Sequence, residues 1–190
     1  AELTANEHED LDGTCIALVR ALGEAGFAGY AVPASGGGNH EKLDVRTLCI
    51  IRETLARHSA LADFAFAMQG LGSGPISLFG SEQQQSNYLN AVAQGQKISA
   101  FSLSEPNAGS DVAAMTCSAQ REGDQWVLNG TKTWISNGIN GNCLAVLTKT
   151  NSDIEPRHRG MSLFLCEKGE GFSVGKKLKK LGYRAIDSAE

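Results

Sequence analysis

The hydrophobic period of this chain changes once, near Gly95, and that change limits the folds open to it. Before it, apolar residues recur at helical spacing. Leu11, Cys15, Leu18 and Leu22 form one stripe, ending between Gly23 and Gly26. Residues 31–38, with Pro33 and three successive glycines, read as a loop. Asp44 is placed to cap a second helix with Val45, Leu48, Ile51 and Leu55 on its buried face. A third apolar stretch occupies 61–68. Ser81 followed by Gln84 has the form of a capping box, opening a helix through Leu89 and Val92 that stops at Gly95.

After Gly95, strand formers dominate. Strands are expected at 98–104, 115–120, 125–128, 133–136, 144–149, 161–166 and 172–176. Arg121-Glu122-Gly123-Asp124 marks a hairpin, and Asn-Gly pairs at 129, 137 and 140 supply turns. Helices first and strands second indicate an α+β chain, not a doubly wound sheet. The expected organisation is an all-helical N-terminal domain over residues 1–95, then a small antiparallel β-barrel or sandwich domain over 96–190.

Composition narrows the class of function. The net charge is −4, whereas a nucleic-acid binder usually carries a basic surface. No apolar run approaches the ~20 residues that span a bilayer. Cys15, Cys49, Cys117, Cys143 and Cys166 are scattered and odd in number, which fits reduced, buried thiols. The four histidines lack metal-ligand spacing, so no metal site is expected. Gly70-x-Gly72-x-Gly74-Pro75 is not a dinucleotide fingerprint, because its third glycine is misplaced and no strand precedes it. The clusters Arg157-His158-Arg159 and Lys176-Lys177 with Lys179-Lys180 read as solvated surface, with electrostatic steering of a phosphate-bearing ligand as the alternative.

Two blocks carry the chemistry. The first is Ser104-Glu105-Pro106-Asn107-Ala108-Gly109-Ser110-Asp111. As turn chemistry alone, Pro106 fixes φ, Gly109 allows a positive φ and Asp111 caps a turn. The second is Asn129-Gly130-Thr131-Lys132-Thr133-Trp134-Ile135-Ser136-Asn137-Gly138. Strand residues two apart share a face, so Trp134 and Ser136 would offer an indole surface and a hydroxyl to one ligand. That pairing suits a planar heteroaromatic ring attached to a phosphate.

In this order and at this spacing, the two blocks resemble those of the acyl-CoA dehydrogenase family of flavoproteins. Pro75-Ile76-Ser77-Leu78-Phe79-Gly80-Ser81-Glu82-Gln83 and Leu181-Gly182-Tyr183-Arg184-Ala185-Ile186-Asp187-Ser188 extend the resemblance over most of residues 20–190. It implies a helical domain, a middle β-domain and a C-terminal four-helix domain, the last absent from this chain. It implies FAD as cofactor, with Phe101, Ser102, Leu103 and Ser104 lining the flavin and the Ser104 hydroxyl at the pyrimidine edge. Many relatives have threonine at that position, and serine keeps the hydroxyl. Gly109 and Ser110 would lie near the pyrophosphate, with Ser110 also touching the acyl-CoA. Trp134 would pack on the isoalloxazine, Ile135 would contribute backbone, and Ser136 would meet the N5 edge.

The implied reaction is α,β-dehydrogenation of an acyl-CoA thioester. A carboxylate takes the α-proton while the β-hydrogen leaves as hydride. That carboxylate belongs to the missing domain, so no catalytic residue is assigned here and the chain alone is expected to be inactive. The resemblance further implies electron-transfer flavoprotein as acceptor, a homotetramer, and a cytoplasmic or mitochondrial-matrix location. It also implies apolar faces left for absent helices, on parts of 61–68 and on Trp134. Two other readings stand beside it: a non-catalytic or split subunit completing a partner's flavin site, and an acyl-CoA oxidase or flavin monooxygenase on the same fold.

Overall fold

A computed structural model describes residues 10–182, 184 and 186–190. Tyr183 and Ala185 of the segment 181–188 lie outside the described residues, as does the side chain of Leu11. Helix α1 spans Leu11–Glu24, α2 Val45–His58, α3 Ala60–Phe79 and α4 Glu82–Ala93. Each begins at a polar cap. The Asp10 carboxylate accepts from the Gly13 amide, Asp44 from Arg46 and Thr47, and Ser59 from Ala62. At α4 the expected capping box is complete, with Ser81 and Gln84 each accepting the other's amide.

The helices share a core of Cys15, Leu18, Val19, Leu22, Ile51, Leu61, Ala65 and Phe66. Val45 was expected on the buried face of α2 but is exposed. It is the first helical residue, before the turns that pack on α3, and Leu48, Ile51 and Leu55 carry that face. Of the stretch 61–68, parts of which were expected to be left bare, Leu61, Phe66 and Met68 are buried, whereas Phe64 and Ala67 are half-buried. The exposed apolar side chains of α3 lie further along, at Leu71, Leu78 and Phe79. The helix continues through the Gly70–Pro75 segment, and its packing explains Gly72 without a phosphate. A Cβ on Gly72 would sit 2.4 Å from the Ser99 Cβ and 2.7 Å from the Ala100 amide nitrogen. Only a bare backbone lets α3 approach the sheet so closely.

The strands are β1 (Ser99–Ser102), β2 (Ser118–Glu122), β3 (Gln125–Asn129), β4 (Ile135–Ser136), β5 (Cys143–Lys149), β6 (Met161–Cys166) and β7 (Ser188–Ala189). The α+β order holds, but the sheet is mixed rather than antiparallel. β5 is antiparallel to β6, β2 is antiparallel to β3, and β1 is parallel to β5 in the register Ser99↔Cys143 to Ser102↔Val146. A parallel pair needs a long crossover, and residues 103–142, which hold both motif blocks, provide it. Segment 172–176 forms no strand. It runs beside the two-residue β7 instead: the Gly175 and Lys176 amides donate to the Glu190 carbonyl, the Glu190 amide donates back to the Lys176 carbonyl, the Leu178 amide donates to the Ser188 carbonyl, and Lys177 forms a single bridge to Ala189.

Helices and sheet are joined by side chains as well as by packing. The buried Gln69 amide donates to the Lys97 carbonyl at 2.7 Å and accepts from the Ser99 amide at 3.0 Å, filling the place of a strand partner at the head of β1. Ile98 and Ile186 enter the helical core, and Cys143 packs with Val32, Ile76, Leu89 and Val92.

Candidate functional site

The crossover brings the two motif blocks together. The Thr133 amide donates to the Ser104 carbonyl at 2.9 Å. Between this junction and α3 lies a cleft of about 460 Å³. Phe101, Leu103, Ser104, Trp134, Ile135 and Ser136 form one wall, and Phe64, Ala67, Met68 and Leu71 of α3, with Arg52 of α2, form the other. The α3 contribution was missed at the sequence level. The stripe Phe64, Ala67 or Met68, then Leu71 was visible as a helical repeat, but nothing in it marked a cleft wall rather than core. Arg52 is held bidentately by Asp63, at 2.8 and 2.9 Å.

Trp134 and Ser136 line the same cleft, though not through strand alternation. β4 begins only at Ile135, and Trp134 has φ 61°, a left-handed conformation rare for a large side chain. Such a residue persists only when its surroundings over-determine it, and both flanks here are anchored. Upstream is the Thr133–Ser104 bond. Downstream, β4 pairs with β7, and the buried Asn137, itself at φ 60°, donates its side-chain amide to the Ser99 carbonyl at 2.9 Å and its backbone amide to Asp187 at 3.2 Å. The Asp187 carboxylate then accepts from the Ile139 and Asn140 amides, each at 3.0 Å. The indole is left 61% exposed, a flat surface facing the cleft mouth.

The remaining candidate residues lie elsewhere. Ser102 is buried and faces the opposite side of β1 from Phe101, lining a separate cavity of about 670 Å³ with Cys117, Lys132 and Cys166. Gly109 and Ser110 are exposed at the tip of the first block, outside the cleft lining. Gly109 was expected at positive φ and is not left-handed; its value is open space, with no atom within 4 Å of an added Cβ. Asp111 caps its short turn through its backbone carbonyl, which accepts from Ala114, while its carboxylate lies 3.7 Å from Arg157. The basic clusters lie on the surface as expected, all exposed except the half-buried Lys180. Arg157 meets Asp111, Lys177 meets Asp12, and Lys180 donates to the Ile186 carbonyl at 2.6 Å and the Ser188 hydroxyl at 2.8 Å.

Beside the junction of the two blocks lies a buried ion pair. Lys132 Nζ donates to Glu105 Oε1 at 2.9 Å and to the Leu103 carbonyl at 3.0 Å. Glu105 also accepts from the Thr116 amide at 2.6 Å, the Thr116 hydroxyl at 3.0 Å and the Cys117 amide at 3.0 Å. Burial opposes ionisation of Glu105, but the Lys132 hydrogen bond, the two amides and the lysine charge outweigh it and hold the carboxyl below its ordinary range. A carboxylate so fully occupied is no general base.

Comparison with known proteins accords with this arrangement. The profile of the acyl-CoA dehydrogenase N-terminal domain matches residues 2–96, and that of the acyl-CoA dehydrogenase middle domain matches residues 100–190. The chain belongs to the acyl-CoA dehydrogenase family. It is 37% identical over 171 residues to the mitochondrial isovaleryl-CoA dehydrogenase of Pongo abelii, covering 89% of this chain and 40% of that one. It is 38% identical over 177 residues to the mitochondrial short-chain specific acyl-CoA dehydrogenase of Mus musculus, covering 91% and 42%. Among solved structures, the acyl-CoA dehydrogenase of Bacillus anthracis complexed with FAD superposes with a TM-score of 0.84 at 33% identity, covering 99% of this chain and 32% of that one. The chain thus spans less than half the length of these relatives.

Proposed function

We propose that this chain supplies the cofactor cleft and part of the acyl site of an FAD-dependent acyl-CoA dehydrogenase, which converts an acyl-CoA thioester to the trans-2-enoyl-CoA. One observation carries the reading. The crossover sets an exposed indole, two hydroxyls and an apolar helix face around one cleft of a size typical for ligands. That donor set fits a flat ring with a polar edge. Trp134 would cover the ring face, the hydroxyls of Ser104 and Ser136 would hydrogen-bond its edge, and Phe101, Leu103 and Ile135 would exclude water. Gly109 and Ser110, on an open loop, would receive the pyrophosphate through backbone amides, with Ser110 near the acyl-CoA. Bound there, FAD would supply a hydride acceptor, its N5. Ser102, on the far side of β1, would support the cleft from behind.

We take the domain boundary at 95–96, a reading supported by the separate family matches over 2–96 and 100–190. The family resemblance further supports a homotetramer that passes electrons to an electron-transfer flavoprotein, in the cytoplasm or the mitochondrial matrix. No carboxylate lines the cleft among the described residues, and Glu105 is committed elsewhere. The base that removes the α-proton would therefore come from outside this chain's cleft wall. The same observation favours a second reading, in which this polypeptide completes a site whose base belongs to a partner.

Mass spectrometry of the flavin released from the intact enzyme as isolated from cells, with anaerobic bleaching by a panel of acyl-CoAs, tests both. FAD bleached by an acyl-CoA is expected. FMN, or no flavin, would overturn the main reading, and FAD that bleaches only when a second polypeptide is added would support the partner reading.

A further inference from the structure

The Lys132–Glu105 pair is the most deeply buried ion pair among the described residues, with side chains 10% and 3% exposed. A buried pair is an uneconomical way to gain stability. Desolvating both ions offsets most of their attraction, and well-packed apolar replacements are often as stable or more so. Something other than stability has to account for it, and its connections indicate what.

The pair ties three segments at one point. Lys132 holds the Leu103 carbonyl and the Glu105 carboxylate, and Glu105 holds Thr116 and Cys117 at the entry to β2. Ser104 lies between the two residues that Lys132 grips, and its own carbonyl accepts from Thr133, the neighbour of both Lys132 and Trp134. Reciprocal backbone bonds between Glu105 and Ala108, at 2.9 and 3.1 Å, close the turn that leads to Gly109. The ion pair thus braces the chain on both sides of Ser104, one residue from the turn that leads to the 106–110 loop. An apolar pair could fill the same space but would not fix the Leu103 carbonyl or the Thr116 and Cys117 amides, because dispersion is non-directional whereas charge-assisted hydrogen bonds have defined geometry.

We infer that Lys132 and Glu105 are positioning residues for the ligand cleft: they hold the Ser104 hydroxyl and the Trp134 indole in register for one planar ligand. The inference rests on the flavin reading for the identity of that ligand, and on geometry alone for the coupling.

The test is the double substitution Glu105→Leu with Lys132→Met, beside Lys132→Arg, which keeps the charge and alters its reach. Melting temperature, FAD dissociation constant and amide hydrogen exchange at Ala108 and Thr133 are measured for each. The double variant is expected to melt a few degrees below the parent, because the Thr116 and Cys117 amides and the Leu103 carbonyl lose their partners. It should bind FAD roughly tenfold or more weakly, the size of one or two forfeited hydrogen bonds, with faster exchange at both amides. Lys132→Arg is expected to keep the fold and show a smaller loss of affinity. If the double variant does not fold, Lys132→Arg decides: parental FAD affinity together with parental exchange at Ala108 and Thr133 overturns the inference. A folded double variant with parental affinity and exchange overturns it as well. A parent protein that binds no FAD refutes the flavin reading instead, and exchange at Ala108 and Thr133 then judges the coupling by itself.

Discussion

Gly70 and Gly72 stand two residues apart in the same helix, yet alanine should act on them in opposite directions. At Gly70 the nearest atom to an added Cβ is the Ala31 Cβ at 3.5 Å, an ordinary contact. Alanine there removes the entropic penalty of a helical glycine, which is roughly 1 kcal/mol. At Gly72 the same gain is available, but the methyl would stand 2.4 Å from the Ser99 Cβ and 2.7 Å from the Ser99 carbonyl carbon and the Ala100 nitrogen, where ordinary contact begins at 3.4 Å. Two of those three neighbours are strand backbone, hydrogen-bonded to β5, and cannot rotate aside. Either α3 or β1 must retreat by about 1 Å, and overpacking of that kind costs about 1–3 kcal/mol. Taking the upper end and subtracting the propensity gain leaves Gly72→Ala destabilised by about 2 kcal/mol, and separates the two variants by about 3 kcal/mol. For a chain of this size that is a difference of roughly 6–12 °C in melting temperature. Urea unfolding followed by far-ultraviolet circular dichroism measures it. The reasoning fails if Gly72→Ala is neutral, or if Gly70→Ala is destabilised to the same degree.

Other expectations follow from the same structure. The Glu105 carboxyl sits below its ordinary value of 4.5, so its stabilising effect is complete above that pH and is lost as pH falls through the depressed folded value. Glu105→Gln should be less stable than the parent by about 3 kcal/mol near neutrality, with the gap closing below pH 4.5, and a gap that widens on acidification would contradict this. Burial pushes the Cys15 and Cys143 thiols up to about 12 and about 11, whereas Cys49 is exposed. Brief alkylation of the native protein followed by peptide mass spectrometry should therefore modify Cys49 and spare the other two, and early labelling of Cys15 would show that the helical core is open. Ser136→Ala should slow flavin reduction while changing unfolding free energy by no more than about 0.5–1.5 kcal/mol; unchanged rates and flavin spectrum in stopped-flow would count against its placement at the ring edge.

The division between helices and strands was legible in the residues because period and capping are local properties. Asp44, Ser81 with Gln84, and the Arg121–Asp124 turn each act within a few residues of themselves, and all appear where the sequence puts them. The two motif blocks were legible as blocks for the same reason. What local chemistry could not reveal was partnership. The parallel pairing of β1 with β5 depends on a crossover of some forty residues, and Gln69 serves as a strand partner only because α3 lies against β1. The left-handed Trp134 follows from anchors as distant as Ser104 and Asp187, so the i, i+2 argument reached the right cleft by a geometry the chain does not use. Lys132 and Glu105, ordinary surface residues by type, became a buried pair only when the crossover folded one block onto the other. Secondary structure was written in neighbours along the chain, and the cleft in neighbours through space, whose choice rests on the burial and charge compensation of the whole fold.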